Sequence, residues 1–107
     1  MDISETEQLF RTGDSSPEAI RKRLIAAREC AGLKQQELAK AVGIGKTTYN
    51  SQEVKGAPAI KVVRHLYKAH RIDFNYIYHG DFAQLPIDVQ SRLAEALAAG
   101  AQSKDRS

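Results

Sequence analysis

The chain has 107 residues, of which 42% are hydrophobic and 27% charged, and its formal net charge is +3. This length and composition predict one small globular domain, and they exclude an internal disulfide because Cys30 is the single cysteine. No apolar run approaches the roughly 20 residues that cross a bilayer, and the acidic N-terminus does not have the form of a signal peptide. We therefore expect a protein of the reducing cytoplasm without a membrane association.

The charges are unevenly distributed along the chain. Residues 1–16 have a net charge of −3, residues 17–71 of +8 and residues 72–107 of −2. A basic middle between acidic ends favours binding to polyanions, and phosphate backbones are the commonest of these. The alternative is a basic surface that only confers solubility, and charge alone does not separate the two.

The N-terminal arm, residues 1–16, carries a first helix signal. Ser4-x-x-Glu7 has the form of a capping box and predicts a short helix over residues 5–11. Its apolar residues Leu9 and Phe10 are expected to dock on the body of the protein.

Five further helix signals follow in residues 17–81, and no strand pattern is bounded by hairpin turns. Ser16 and Pro17 predict the start of the first of these helices, and Gly32 its end. The others are expected at about residues 34–42, at 45–53, at 59–69 and after Asp73. The helix expected at residues 59–69 should direct four apolar side chains inward: Ile60, Val63, Leu66 and Tyr67. Together these signals predict a compact all-α domain.

A last helix is predicted within residues 82–99, beginning at Pro86. Its apolar residues recur every four positions and form a narrow stripe: Val89, Leu93 and Leu97. The stripe suits packing against a partner helix in a dimer, but it suits packing on its own domain equally well, because periodicity does not distinguish the two. Residues 100–107 are small and polar, and we expect them to be disordered.

The most informative segment is residues 33–53, LKQQELAKAVGIGKTTYNSQE. Two helices joined by a turn of three or four residues can cross steeply, which lets the second project from the body. Ala39 is small where the helices would cross, Gly43 can take a positive φ at the turn, and Ile44 fills the gap below the turn.

This segment resembles the Cro/CI-type (XRE-like) helix-turn-helix regulators of phage and bacteria. Their pattern is approximately L-S-Q-x-x-L-A-x-x-L-G-I-S-x-x-T-I-x-x-x-E, and eight positions match it directly: Leu33, Gln35, Leu38, Ala39, Gly43, Ile44, Thr48 and Glu53. The likeness extends over about residues 20–81 and ends in YIYHGD, which is similar to a W-I-Y-x-G-D ending of some members.

The resemblance implies a five-helix lambda-repressor-like DNA-binding domain over residues 17–81, with an extra C-terminal helix and a short N-terminal helix or arm. It implies a sequence-specific transcriptional regulator, a repressor that binds an inverted-repeat operator in double-stranded DNA as a homodimer. The helix over residues 45–53 would enter the major groove. No cofactor and no small-molecule ligand are implied.

Helical geometry predicts which side of residues 45–53 faces DNA. At about 100° per residue, four polar residues share one side: Lys46, Thr47, Asn50 and Ser51. Tyr49 and Gln52 fall on the other side. Lys46 can donate to guanine O6 and N7, Asn50 can pair with adenine N6 and N7, and Thr47 can contact thymine. A solvated polar surface is the alternative interpretation.

Four further residues are candidates for contacts to the DNA backbone. Gln35 occupies the position of the family glutamine that contacts a phosphate beside the recognition helix, and Gln36 follows it. Lys55 and Lys61 are candidate phosphate contacts because they are cationic and flank the end of that helix.

Several positions depart from the family pattern. Lys34 and Gly45 replace the usual serine or threonine caps, Gln52 replaces an apolar residue, and the segment 54–58 is about one residue shorter. Two of these departures, Lys34 and Gln52, would fit a second hypothesis, a protein-interaction adaptor (antiactivator or antitoxin-like) on the same scaffold. The histidines show no metal-ligand spacing and no nucleophile motif is present, so we do not expect an enzyme or a metal site.

Overall fold

The computed structural model describes residues 1–102, with side chains described through residue 100. This part of the chain contains seven helices and no strand. The helices are α1 (Ile3–Phe10), α2 (Pro17–Cys30), α3 (Gln35–Ala41), α4 (Lys46–Lys55), α5 (Ile60–His70), α6 (Phe74–His79) and α7 (Ile87–Gln102). The prediction of an all-α protein is therefore confirmed. None of these helices is long and apolar enough to cross a membrane.

Helix α1 begins two residues earlier than predicted. Asp2 is the N-cap: its carboxylate accepts from the Glu5 amide at 2.8 Å, and the Glu5 carboxylate accepts from the Asp2 amide at 2.9 Å. The capping box predicted at Ser4 and Glu7 was wrong, because Asp2 and Glu5, two residues earlier, form the box instead. The predicted docking is confirmed, since Phe10 is buried.

Arg23 fastens the N-terminal arm to the rest of the protein. Its side chain is buried and donates to the carbonyl oxygens of Phe10, Arg11, Asp14 and Ile77. A buried guanidinium is tolerated only when its N–H groups have acceptors, and here the arm and α6 supply them. The arm is therefore part of the same core as α2 and α6.

Helix α7 also belongs to that core. Val89 and Leu93 are fully buried and Leu97 is 9% exposed, in a helix that packs against α1 and α2. These side chains pack within their own domain, which is one of the two roles that the spacing left open for this stripe. The helix also continues to Gln102, beyond the expected start of the tail at residue 100, and residues 103–107 of that tail lie outside the described residues.

Helix α5 buries two of the four residues predicted to face inward, Val63 and Leu66, but not the other two. Val62, Val63 and Leu66 are fully buried, whereas Ile60 and Tyr67 are each 53% exposed. The helix carries two sets of apolar residues, and the set centred on Val62 and Leu66 faces the neighbouring helices α3 and α6. The predicted inward position of Ile60 and Tyr67 was wrong.

Candidate nucleic-acid interface

Helices α3 and α4 pack against each other and are joined by residues 42–45. Gly43 has a φ of +75°, in the left-handed region that favours glycine, and it turns the chain at the end of α3. Ile44 is partly buried against the core below this turn. Gly45 is the N-cap of α4, which extends two residues beyond the predicted end at Glu53.

The unusual residue before α3 has a local explanation. Lys34 is the N-cap, and its backbone N–H donates to the Glu37 carboxylate at 2.7 Å. A lysine side chain has no acceptor with which to cap a helix, so the carboxylate three residues later provides half of a capping box instead.

Helix α4 presents a buried side and an exposed polar side. Tyr49 and Glu53 are buried, with 0% and 4% of their surface exposed. The residues predicted to face DNA lie away from them: Lys46, Thr47 and Asn50 are exposed and Ser51 is half-buried. The helix therefore offers to solvent the polar face that its angular spacing predicts.

The buried side is held by a network around the Glu53 carboxylate. Arg28 donates to both carboxylate oxygens, through Nε at 2.9 Å and Nη2 at 3.3 Å. The Tyr49 hydroxyl donates at 2.7 Å and the Gln35 side-chain amide at 2.8 Å. The same Gln35 nitrogen also donates to Oδ1 of Asn50 at 2.9 Å. The network thus joins α2, α3 and α4 and reaches the exposed face.

The network keeps Glu53 ionised. Burial alone would raise the pKa of this carboxyl, but hydrogen bonds from Arg28, Tyr49 and Gln35 outweigh that effect and hold the pKa below its usual value. Burial together with the bond to Glu53 raises the pKa of Tyr49, so its hydroxyl remains a donor.

The predicted backbone contacts divide into two groups. Gln35 is half-buried and both of its hydrogen bonds serve the network, whereas Gln36 is exposed. Lys55, the last residue of α4, and Lys61, in the first turn of α5, are also exposed.

Sequence reasoning missed two members of the network, Arg28 and Tyr49. The spacing of Tyr49 and Glu53, four residues apart on one helix, is a usable signal for a contact between them. No comparable signal marks Arg28, because it lies 25 residues before Glu53 on another helix.

The segment between α4 and α5 explains two further departures. The Gln52 side chain accepts from the backbone N–H of Ala59, the N-cap of α5, at 2.8 Å. Gly56 has a φ of +63°, and a Cβ at this position would overlap the carbonyl group of Pro17. The polar residue at 52 and the glycine within the shortened segment 54–58 therefore serve the connection between the helices.

From the second turn of α3 to the end of α5, the charges are almost all positive. Residues 38–72 contain one acidic residue, Glu53, which is buried and paired with Arg28. The same stretch contains seven exposed basic residues: Lys40, Lys46, Lys55, Lys61, Arg64, Lys68 and Arg71. Its surface accordingly attracts anions.

Comparison of the chain with models of protein families, with curated proteins and with solved structures finds no match. The functional assignment therefore depends on the geometry of α3 and α4 and on the side chains they carry. Within residues 1–102, no group of three or more histidine, cysteine, aspartate or glutamate side chains is placed to hold a metal ion.

Proposed function

We propose that the protein is a sequence-specific DNA-binding regulator that inserts α4 into the major groove. The observation that carries this proposal is the exposed face formed by Lys46, Thr47 and Asn50, whose helix is anchored on its other side by the Glu53 network. These three side chains have the donors and acceptors that distinguish base pairs from the major groove.

The surrounding helices support the same proposal. In this proposal, helices α2–α6 are the five helices of a lambda-repressor-like domain, and α3 and α4 are its helix-turn-helix. The basic side chains of α4 and α5 would lie along the phosphate backbone, and contacts of this kind set affinity and orientation without reading sequence. Lys55 and Lys61 are candidates, as is Gln36 at the start of α3.

The proposal includes a homodimer on an inverted repeat. One recognition helix reaches few base pairs, and two copies related by a two-fold axis read half-sites about 10 base pairs, or a multiple of that, apart. Because Val89, Leu93 and Leu97 are used in the core of their own domain, the two copies would meet through another surface.

Selection of bound sequences from a random pool of double-stranded DNA tests the proposal. We expect enrichment of a short inverted repeat by the full chain, with binding that weakens steeply as salt is raised. A triple variant, Lys46→Ala with Thr47→Ala and Asn50→Ala, should retain the fold and lose the enrichment. Absence of binding at low salt, or binding with no preferred sequence, would contradict the proposal.

The adaptor hypothesis loses the two departures that favoured it. The cap at Lys34 is completed by Glu37, and Gln52 binds the backbone at the start of α5, so neither residue indicates relaxed selection for DNA reading. The same selection experiment separates the two functions, because an adaptor would enrich no DNA sequence.

A further inference from the structure

The Glu53 carboxylate has a fixed hydrogen-bonding character. An ionised carboxylate only accepts, and its two oxygens already accept four hydrogen bonds, from Arg28, Tyr49 and Gln35. The group of Gln35 that faces Glu53 must therefore be its NH2, since the amide oxygen has no proton to donate. Chemistry alone determines this orientation of the Gln35 amide.

The same reasoning extends to the exposed face of α4. The Gln35 nitrogen lies 2.8 Å from Oε1 of Glu53 and 2.9 Å from the Asn50 side chain. One of its two protons is donated to Glu53, so the other points at Asn50. The Asn50 atom that receives this proton must be an acceptor, which is the side-chain oxygen. The Asn50 oxygen consequently faces Gln35, and its NH2 is turned toward solvent.

We infer that Gln35 is a positioning residue, through which Glu53 makes Asn50 a donor that prefers guanine over adenine. The inference rests on the proposed function and revises the adenine pairing expected from residue type alone. Adenine offers N7 as an acceptor but N6 as a donor, and pairing with both requires the Asn50 oxygen. Guanine offers two acceptors, N7 and O6, which suit an outward NH2.

The orientation of the Gln35 amide is tested first without DNA. NMR of the full chain measures how fast the side-chain amide protons exchange with solvent. Gln36 is the internal control, because it is the neighbouring residue of the same type and is exposed. We expect the amide protons of Gln35 to exchange with solvent several-fold more slowly than those of Gln36. Equal exchange at the two glutamines would overturn the inference, whatever the protein binds.

The base preference is measured next, at the base pair where Asn50→Ala relaxes selection. The wild-type protein should prefer guanine over adenine there by on the order of ten-fold. Gln35→Met retains the Arg28–Glu53 pair and the length of the side chain but releases the Asn50 amide, so the preference should fall toward one-fold. Tyr49→Phe removes a different bond to Glu53 and should leave the preference unchanged.

Two results would overturn the inference while the proposed function stands. One is selection of adenine at that base pair by the wild-type protein. The other is an unchanged guanine preference in a folded Gln35→Met variant. Failure of the proposed function is distinct, because the wild-type protein would then enrich no sequence and the amide exchange would still report the orientation.

Discussion

Individual residues of α4 divide into those that would read bases and those that would hold phosphates, and substitution distinguishes them. Lys46→Ala and Asn50→Ala should each relax selection at one base position, at a cost of about 1–3 kcal/mol for the preferred base. Lys55→Ala should weaken binding to all sequences similarly and lower the salt slope by about 1. Binding titrations on a set of single-base operator variants measure both effects. Identical behaviour of the three variants would contradict the assigned face.

Two glycines with the same backbone conformation differ in what surrounds them. Gly43 and Gly56 have φ values of +75° and +63°, but only at Gly56 would a Cβ overlap another part of the chain, the Pro17 carbonyl. Gly43→Ala should cost about 1–2 kcal/mol of unfolding free energy, the penalty of the left-handed conformation. Gly56→Ala should cost at least about 3 kcal/mol, because the backbones of α2 and the α4–α5 segment must separate.

Urea denaturation of the two glycine variants measures this difference. The wild-type chain is the reference, and Gly43→Ala controls for the conformational penalty. Equal losses of stability in the two variants would show that the contact between Gly56 and α2 contributes nothing.

At the scale of the helix, the apolar stripe of α7 forms part of the core of its own domain. Leu93 is fully buried against the domain, so Leu93→Ala should lower the unfolding free energy by about 2–5 kcal/mol. Glu95→Ala, at an exposed position of the same helix, should change it by less than about 0.5 kcal/mol. Sedimentation of the folded Leu93→Ala variant should give the wild-type mass. A halved mass with little loss of stability would show instead that the stripe of Val89, Leu93 and Leu97 forms the dimer interface.

Elements differ in how well their sequences predict them. The starts of α2 and α6 follow from Ser16 and Asp73, because a side-chain cap is a local signal. The buried side of α5 follows only in part. Ile60 and Tyr67 satisfy the helical spacing as well as Val62 does, and only the neighbouring helices decide between them. The Glu53 network could not be predicted from the sequence either, because Arg28 lies on a helix 25 residues before Glu53.

For the whole molecule, the Glu53 network predicts how stability depends on pH. The folded-state pKa of Glu53 lies below its usual value near 4.5, so the unfolded chain binds more protons in the interval between the two. The contribution of this group is therefore fully present above about pH 4.5 and is lost as pH falls through the lower, folded-state pKa. Denaturation in urea between neutral and strongly acidic pH should show this loss.

Glu53→Gln is the matched variant for the pH dependence. It removes the titrating group while retaining the size and most of the shape of the side chain, so its stability should fall less steeply on acidification than that of the wild-type protein. The comparison uses the slope of unfolding free energy against pH rather than its absolute value. The variant also leaves Arg28 without its charged partner and should be less stable at neutral pH. Equal slopes would mean that Glu53 does not control the acid sensitivity.

The attachment of the arm by Arg23 determines where the protein can be divided. Three of the four carbonyl groups that receive its N–H donors belong to residues before α2: Phe10, Arg11 and Asp14. A fragment beginning at Pro17, where the helix-turn-helix resemblance would place the boundary, lacks these three acceptors together with the buried Phe10 side chain. We therefore expect such a fragment to be less stable than the full chain, because its boundary separates a hydrogen-bonded cation from most of its acceptors.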